Sequence, residues 1–391
     1  MTLTPVSTGP TRRDRLARLA VAAVFALHGV AAGSWAARIP WVKEARHLTS
    51  ADLGLALMGA AIGGLTAMPV AAWLSARVDS RTLTRVLVIA VGVALPLPAF
   101  APVLPVLFVS LVLFGAVSGV LDVAMNAQGV KVQERYGRSI MSGLHGLWSV
   151  GGLIGSASAG LVARAGVAAP AHLLTVGVII AVVGTLCGTR LTPAPPTAAG
   201  KVFARPDRAL LLLGVITFGS LFGEAAAADW SAVYLRTAAH ATPGVAAWGY
   251  AGFSLSMAVA RLVGDRVVER LGAPLVVRTA ALIGAVGLAV GLLVPVTPVV
   301  VVAFVLLGLG MATVVPLTFS AAGRTPGRDP GTAVAAVGTV GYGGWMIAPP
   351  VIGFVAQATS LTTALALVAV MTALIALPAG ALRERPAAAE S

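Results

Sequence analysis

The sequence is short of charged residues and almost free of cysteine. Of its 391 residues only 10% are charged, and Cys187 is its single cysteine. An average soluble domain is about 25% charged, and one thiol excludes an internal disulfide or a cysteine-based metal site. A chain with so little charge could not cover its apolar surface in water, which argues against a soluble fold.

Several motifs that carry chemistry are also missing. The phosphate-binding pattern Gly-x-x-x-x-Gly-Lys-Ser/Thr is absent, because Val202 follows Gly200-Lys201. There is no Gly-x-Ser-x-Gly pattern, and no group of His, Cys and Asp has the spacing of a metal site. We therefore expect no ATP site, no cofactor, no metal and no enzymatic activity.

The apolar residues are gathered into twelve long runs. Hydrophobic residues make up 58% of the chain, and the mean hydropathy is +0.93. A helix of about 20 apolar residues crosses the hydrocarbon core of a bilayer. Runs of this length lie at 17–38, 53–75, 83–101, 104–128, 140–163, 170–190, 209–235, 245–264, 274–294, 297–321, 331–356 and 360–381. The sequence therefore predicts an all-α membrane protein with twelve transmembrane helices.

The basic residues lie in small clusters between these runs. The formal net charge is +13, but scattered clusters do not form a nucleic-acid surface, and we expect no nucleic-acid partner. With the N-terminus placed in the cytoplasm, 21 Lys and Arg residues fall in cytoplasmic segments and 5 outside, and Arg261 lies within a helix. This bias follows the positive-inside rule and predicts that both termini are cytoplasmic. We interpret the first run as a retained helix rather than a signal peptide.

A segment rich in proline, alanine and threonine, residues 192–207, lies near the middle of the chain. We interpret it as a cytoplasmic linker. It divides the chain into an N-terminal six-helix bundle, residues 1–191, and a C-terminal six-helix bundle, residues 208–391.

The two halves also repeat short patterns at an offset of 192 to 193 residues. Arg77 and Arg85 correspond to Arg270 and Arg278. The glycines that follow Ser149 likewise correspond to those that begin at Gly341, and small residues at such spacing let helices approach closely. A common offset indicates an internal duplication, as several membrane carriers have.

The basic segments resemble the loop signature of the major facilitator superfamily, Gly-x-x-x-Asp-Arg-x-Gly-Arg. Residues 264–272 match it with two extra residues, and residues 75–81 are a degenerate first copy. The resemblance implies two pseudo-symmetric six-helix bundles. It also implies that charged residues of these loops gate the cytoplasmic side by bonding neighbouring helix ends. The gating residues are Arg77, Arg81, Arg85, Asp265, Arg266 and Arg270.

Three stretches are similar to the fucose-permease-like branch of this superfamily: residues 119–127, 144–155 and 223–234. Asp122 stands where that branch has Glu. The likeness implies alternating access and proton symport, but it does not imply a sugar substrate. Ser156 stands where drug antiporters have proline, which counts against a multidrug exporter.

Ionisable residues inside the apolar runs are candidate functional residues, since burying them in a membrane is costly. Asp122 and Asn126 lie one turn apart and share a helix face. We expect Asp122 to bind and release the coupled proton; the alternative is a structural hydrogen bond to a neighbouring helix. We expect Glu224 to face the cavity.

Five further residues complete the candidate site, and a structural role competes with a functional one for each. We expect Asp229 to cap the outer end of span seven in water, and Trp230 to be an interfacial belt residue rather than a substrate-stacking ring. His28 and His145 are either packed core residues or proton relays. The similarity to the fucose-permease-like branch adds Trp148.

Two arginines stand apart from the basic clusters. We expect Arg261 to extend to the cytoplasmic interface, with pairing to an acidic group as the alternative. Arg38 closes span one, where we expect it to pair with Glu44 or Asp52.

Together these features predict a secondary active transporter that moves a small solute by alternating access, with proton coupling. A multidrug or metabolite efflux antiporter is the alternative. A membrane-embedded enzyme would need clustered acidic or histidine residues at one interface, whereas the acidic residues here are dispersed. The expected partners are a small-molecule substrate, protons and the lipid bilayer. We expect a monomer in a bacterial cytoplasmic (inner) membrane.

Overall fold

The computed structural model describes residues 11–136, 140–193, 207–325 and 330–382. These residues form twelve long helical segments, so the predicted number is confirmed. The segments are α1 Arg12–Ala45, α2 Ser50–Ser75, α3 Ser80–Phe100, α4 Leu104–Tyr136, α5 Met141–Arg164, α6 Ala169–Gly188, α7 Arg208–Thr237, α8 Trp248–Leu271, α9 Ala273–Leu293, α10 Thr297–Gly323, α11 Pro330–Ala358 and α12 Leu361–Leu374. Ten of the described helices are long and apolar enough to cross a membrane; α8 and α12 fall below that measure.

Several helices begin at residues whose side chains satisfy free backbone N–H groups. The hydroxyl groups of Thr11 and Thr49 accept hydrogen bonds from the backbone of Asp14 and Asp52, whose carboxylates accept in return. The carboxylate of Asp79 caps α3 by accepting hydrogen bonds from the backbone N–H groups of Arg81 and Thr82. Prolines in the first turn start α6, α9 and α10, where the missing N–H costs nothing.

Three helices differ from the predicted spans. Residues 264–271, expected to be a loop, continue α8, and the chain turns at Gly272, whose φ of 80° is accessible to glycine without strain. Helix α10 is interrupted between Met311 and Val314. Helix α12 ends at Leu374, and a short 3₁₀ helix, Pro378–Leu382, follows it.

The helices pack as two bundles with the same internal arrangement. In the first bundle α1 packs on α5, α2 on α4, and α3 on α6; in the second, α7 packs on α11, α8 on α10, and α9 on α12. Each pair of the second bundle is six helices later than its counterpart in the first. This architecture is the two-bundle, twelve-helix fold that the sequence predicted.

Glycines bring the helices of each bundle into backbone contact. A Cβ atom added to Gly151 of α5 would collide with the carbonyl oxygen of Ala26 on α1, and one added to Gly344 of α11 would collide with that of Phe218 on α7. The two contacts are related by an offset of 192 to 193 residues. The predicted repeat is therefore present in the packing.

The two bundles meet in the middle of the molecule and at one end. We call the end that holds the start of α1 and the end of α12 the terminal end, and the opposite end, with the α1–α2 and α7–α8 connections, the far end. The hydrogen bonds and the ion pair described between the bundles join Ser50 to Gln357, Ser156 to Ala247, Glu44 to Arg236, and Ser149 to Arg261. The first three lie toward the far end, so the bundles are closed there.

Residues 194–206 lie outside the described residues. The predicted linker at 192–207 falls mainly on them. The boundaries of the two halves at residues 191 and 208 therefore stay predictions.

Candidate functional site

A cavity lies between the bundles near the middle of the helices. In this arrangement of the bundles its volume is about 10 Å³, which is room for about one water molecule. Helices α5, α7, α8 and α11 supply its walls, so each bundle contributes. Its lining residues are Trp148, Ser149, Glu224, Ala228, Tyr250, Phe253, Ser254, Met257 and Trp345.

Glu224 is the acidic residue of this cavity. It lies near the middle of α7, and its side chain is 13% exposed. One carboxylate oxygen lies 3.9 Å from Nη2 of Arg261. The other oxygen, Oε1, is buried and has no hydrogen-bond partner among the described residues. The carboxylate is therefore only partly compensated.

Arg261 connects Glu224 to the opposite bundle. Its Nη1 donates to Oγ of Ser149 on α5 at 3.4 Å, and its Nε donates to the carbonyl oxygen of Ala312 at 3.3 Å. The side chain is 18% exposed. The expectation that Arg261 extends to the interface is wrong, because an ion pair with Glu224 holds it between the bundles.

Both predicted histidines lie on the first-bundle side of this site. Nε1 of Trp148 donates to Nδ1 of His28 at 3.3 Å. His145 meets the ring of Phe25 edge-on, with ring centroids 5.3 Å apart, and lies within electrostatic range of Arg261. The structure thus brings His28, Trp148 and His145 together along the contact between α1 and α5.

Asp122 and Asn126 form a separate polar pair on α4. Nδ2 of Asn126 donates to Oδ1 of Asp122 at 3.3 Å and to its backbone oxygen at 2.8 Å. The shared face predicted from their spacing is therefore confirmed. Asp122 is exposed and lies within electrostatic range of Tyr342 on α11, a helix of the opposite bundle.

Asp229 and Trp230 do not take the positions we expected. Helix α7 continues to Thr237, so Asp229 does not cap its end. It is partly buried and lies within electrostatic range of Tyr250. Trp230 is 0% exposed and cannot belong to an interfacial belt, because a belt ring faces lipid.

Arg38 and Glu44 also have partners other than those predicted. Nε of Arg38 donates to Nδ1 of His172 on α6 at 3.3 Å, and both side chains are buried. Glu44 forms an ion pair with Arg236 of the second bundle at 2.7 Å.

The predicted gating residues of the first half bond helix ends within their own bundle. Arg81 donates to the carbonyl oxygen of Thr189 at the end of α6, and Arg77 lies over the ring of Trp73. The aliphatic part of Arg85 packs against Gly188. In the second bundle Arg278 donates to the carbonyl oxygen of Ala376, beyond the end of α12.

In the second half, the predicted gating residues lie on the last turns of α8 rather than in a loop. Arg266 and Arg270 are exposed there. The side chain of Asp265 lies outside the described residues.

The residues of the site that our prediction missed include Arg261, Ser149, Tyr250 and Trp345. Arg261 carried a signal, because it was the one arginine that we assigned to a helix rather than to a connecting segment. The other three have no mark in the sequence, because polar and aromatic residues are common in membrane helices.

Related proteins cover almost the whole chain. An uncharacterized MFS-type transporter of Yersinia pestis is 33% identical over 359 residues, which is 91% of this chain and 93% of the relative. The uncharacterized transporter y4wD of Sinorhizobium fredii is 34% identical and covers 93% of this chain and 97% of its own length. The membrane protein MosC of Rhizobium meliloti is 31% identical, with 95% and 91% covered.

Solved structures share the fold at low sequence identity. The nucleoside transporter NupG superimposes with a TM-score of 0.70 at 12% identity, covering 95% of this chain and 99% of NupG. A bacterial homolog of the human lysosomal transporter Spinster, in an inward-facing and unoccupied conformation, gives 0.74 at 14% identity, with 97% and 100% covered.

The family model of the Major Facilitator Superfamily matches residues 210–391, the second bundle. The relatives extend the match through the first bundle, where the predicted loop signature was degenerate. The chain is a membrane transport protein and belongs to the Major Facilitator Superfamily.

Proposed function

We propose that this protein is a proton-coupled secondary active transporter that carries a small solute through the cavity between its bundles by alternating access. The ion pair between Glu224 and Arg261 carries the proposal. It lies at the cavity, and its arginine also bonds Ser149 of the other bundle.

Protonation of Glu224 would alter the contact between the bundles. While Glu224 is charged, it attracts the Arg261 guanidinium, which bonds Ser149 at the same time. A neutral Glu224 no longer compensates the arginine charge, and an uncompensated buried charge is costly. Arg261 must then find other partners, so the protonation state biases one arrangement of the bundles over the other.

Asp122 supports a second proton-binding position. It accepts a hydrogen bond from Asn126 of the first bundle and lies within electrostatic range of Tyr342 on α11 of the second. Either carboxylate can therefore exchange its proton at the interface of the bundles.

We propose that the terminal end faces the cytoplasm of a bacterial inner membrane, as the Lys and Arg distribution favours. Closure at the far end is then closure on the outer side of the membrane. Similarity to the fucose-permease-like branch and a monomeric state stay predictions.

The test begins with a solute that thermally stabilises the purified protein in a screen of sugars, amino acids, nucleosides, amines and organic anions. Proteoliposomes are then loaded and assayed with and without an imposed pH gradient. We expect Glu224→Gln to abolish gradient-driven accumulation, because the neutral side chain cannot release a proton. Exchange of labelled for unlabelled solute should persist.

Glu269→Gln is the matched control, because Glu269 is exposed on the last turns of α8. It should accumulate solute like the unmodified protein. Asp122→Asn in the same assay tests whether a second carboxylate takes part in coupling. Reduced gradient-driven accumulation would show that Asp122 contributes in addition to Glu224. Unchanged gradient dependence in both Glu224→Gln and Asp122→Asn would rule out proton coupling through these residues.

A further inference from the structure

The cavity at Glu224 has an unusual combination of one carboxylate and several aromatic rings. Among the described residues that line it, Glu224 alone carries a charge. Trp148, Tyr250, Phe253 and Trp345 supply rings from three helices of both bundles. Arg261 approaches Glu224 but does not line the cavity. A ligand in the cavity therefore meets a negative charge within an aromatic wall.

The carboxylate has an open hydrogen-bonding position. Oε1 of Glu224 is buried and lacks a partner among the described residues, while the contact of Oε2 with Arg261 is long, at 3.9 Å. A buried acceptor without a donor is costly. A bound group that donates a hydrogen bond or carries positive charge would remove that cost.

Trp148 and Phe253 offer ring surfaces rather than donors to the cavity. The only N–H of the Trp148 side chain is already bonded to His28. Tyr250 and Phe253 stack with centroids 6.0 Å apart, which makes a continuous aromatic surface on α8. Ring faces carry negative potential and attract cations, and aromatic walls of this kind hold ammonium groups.

From this geometry we propose that the cavity, widened when the bundles move apart, binds an organic cation. Its ammonium group lies between Glu224 and the rings of Trp148, Tyr250, Phe253 and Trp345. This inference rests on the proposed function, since it names the substrate class of the same site. An organic anion would be repelled by the carboxylate and the negative ring faces, and Arg261, which pairs with Glu224, does not line the cavity. A neutral polyol would satisfy Oε1 but gain nothing from the ring potential.

Binding to purified protein tests this class without requiring transport. The cationic probes are tetramethylammonium, choline and benzyltrimethylammonium, whose charges do not change with pH. The neutral and anionic counterparts of choline are 3,3-dimethylbutan-1-ol and 3,3-dimethylbutanoate. Thermal stability and tryptophan fluorescence, to which the two cavity tryptophans contribute, report binding.

We expect at least one cation to bind, and choline to bind more tightly than either of its counterparts if choline fits. Glu224→Gln should weaken cation binding by about tenfold or more, since it removes the charge but keeps the shape. Trp345→Ala should weaken it by about three- to tenfold, and Trp345→Phe by less. Glu269→Gln should bind normally.

The pH dependence adds a readout that a purely structural role of Glu224 would not give. Cation affinity should fall as the pH is lowered and Glu224 takes up a proton, and Glu224→Gln should lose this dependence. Failure of all three cations to bind would overturn the proposal. So would binding of the neutral or anionic probe at least as tight as that of the cations, or cation binding that Glu224→Gln leaves unchanged.

The two proposals fail in different ways. Specific cation binding without movement of the cation across vesicles contradicts the transport proposal and leaves the site assignment standing. Coupled transport of a neutral or anionic solute, without cation binding, supports the transport proposal and refutes the cation site.

Discussion

Two buried arginines, Arg38 and Arg261, illustrate opposite uses of a charge inside a helical bundle. Arg38 is 3% exposed and bonds the imidazole of His172, which lies in the same bundle and is 6% exposed. Arg261 pairs with the carboxylate of Glu224 and also bonds Ser149 of the other bundle. Arg38 joins two helices of one bundle, whereas Arg261 joins the two bundles.

Because their partners differ, we expect the two arginines to respond differently to protonation. Nη2 of Arg38 and Nε2 of His172 have no partners among the described residues, and no carboxylate pairs with this arginine there. Such a pair does not change when a carboxylate is protonated. At Arg261 a single proton on Glu224 alters the charge balance, and the effect reaches the opposite bundle through Ser149. The same replacement at both sites therefore tests the distinction.

The largest effect is expected at the site between the bundles. The double replacement Arg261→Met and Glu224→Met removes both charges, so no buried charge is left unpaired. We expect the variant to insert into the membrane and to keep the free energy of unfolding of the unmodified protein. Coupled transport in proteoliposomes should fall on the order of 100-fold, near the upper range of coupling free energies between two sites. Full transport by this variant would show that the ion pair does not couple the bundles.

The second expected effect is a gain of stability at Arg38. Replacing both members, Arg38→Met with His172→Leu, removes a poorly compensated buried charge and two unpaired nitrogens. We expect the free energy of unfolding in detergent to rise by about 1–4 kcal/mol, as for other apolar replacements of buried polar pairs. Transport should not change. A transport defect in well-folded protein would place Arg38 among the functional residues and remove the contrast with Arg261.

The smallest effect is expected at the exposed ion pair of the far end. The side chains of Glu44 and Arg236 are 52% and 25% exposed, so their pair should contribute less than about 1 kcal/mol to closure. Ala159 lies in a small buried cluster with Ala37 and Ala247 between the bundles. Ala159→Cys in a Cys187→Ser background places the chain's one cysteine in this cluster. The rate at which that cysteine is alkylated then measures how often the far end opens.

Glu44→Gln should speed this alkylation by no more than about fivefold. Added salt should speed it in the parent protein, where it screens the pair, and not in Glu44→Gln. An effect much larger than fivefold would make this pair a main closure of the far end.

The fold could be read from the sequence because its main determinants are local. Each apolar run is long enough to span a bilayer, and the equal offsets of Arg85–Arg278 and Gly151–Gly344 indicated the duplication. What the runs did not show is where a helix continues beyond the membrane. Residues 265–271 include four charged side chains but are still helical, because no proline or glycine occurs among them and the next glycine is Gly272.

The site was less predictable because it depends on contacts between distant helices. The one-turn spacing of Asp122 and Asn126 is local, and their contact was correctly predicted. The partner of Arg261 is not local. An arginine near a helix end can extend to water or turn inward, and only the position of α7 beside α8 decides between them. Trp230 was wrongly assigned to the lipid interface because the sequence does not show which helices surround it, and neighbouring helices bury it.

The glycines between α1 and α5 give the first bundle a mechanical property. Side chains at Gly29, Gly33 or Gly155 would collide with the backbone of the facing helix, so these two helices touch along several turns without flexible side chains between them. Helix α5 holds Ser149, which bonds Arg261, and α1 holds Glu44 at the far end. A displacement of Ser149 near the middle of the membrane would therefore be transmitted almost fully to Glu44, because α1 and α5 behave as one rigid unit.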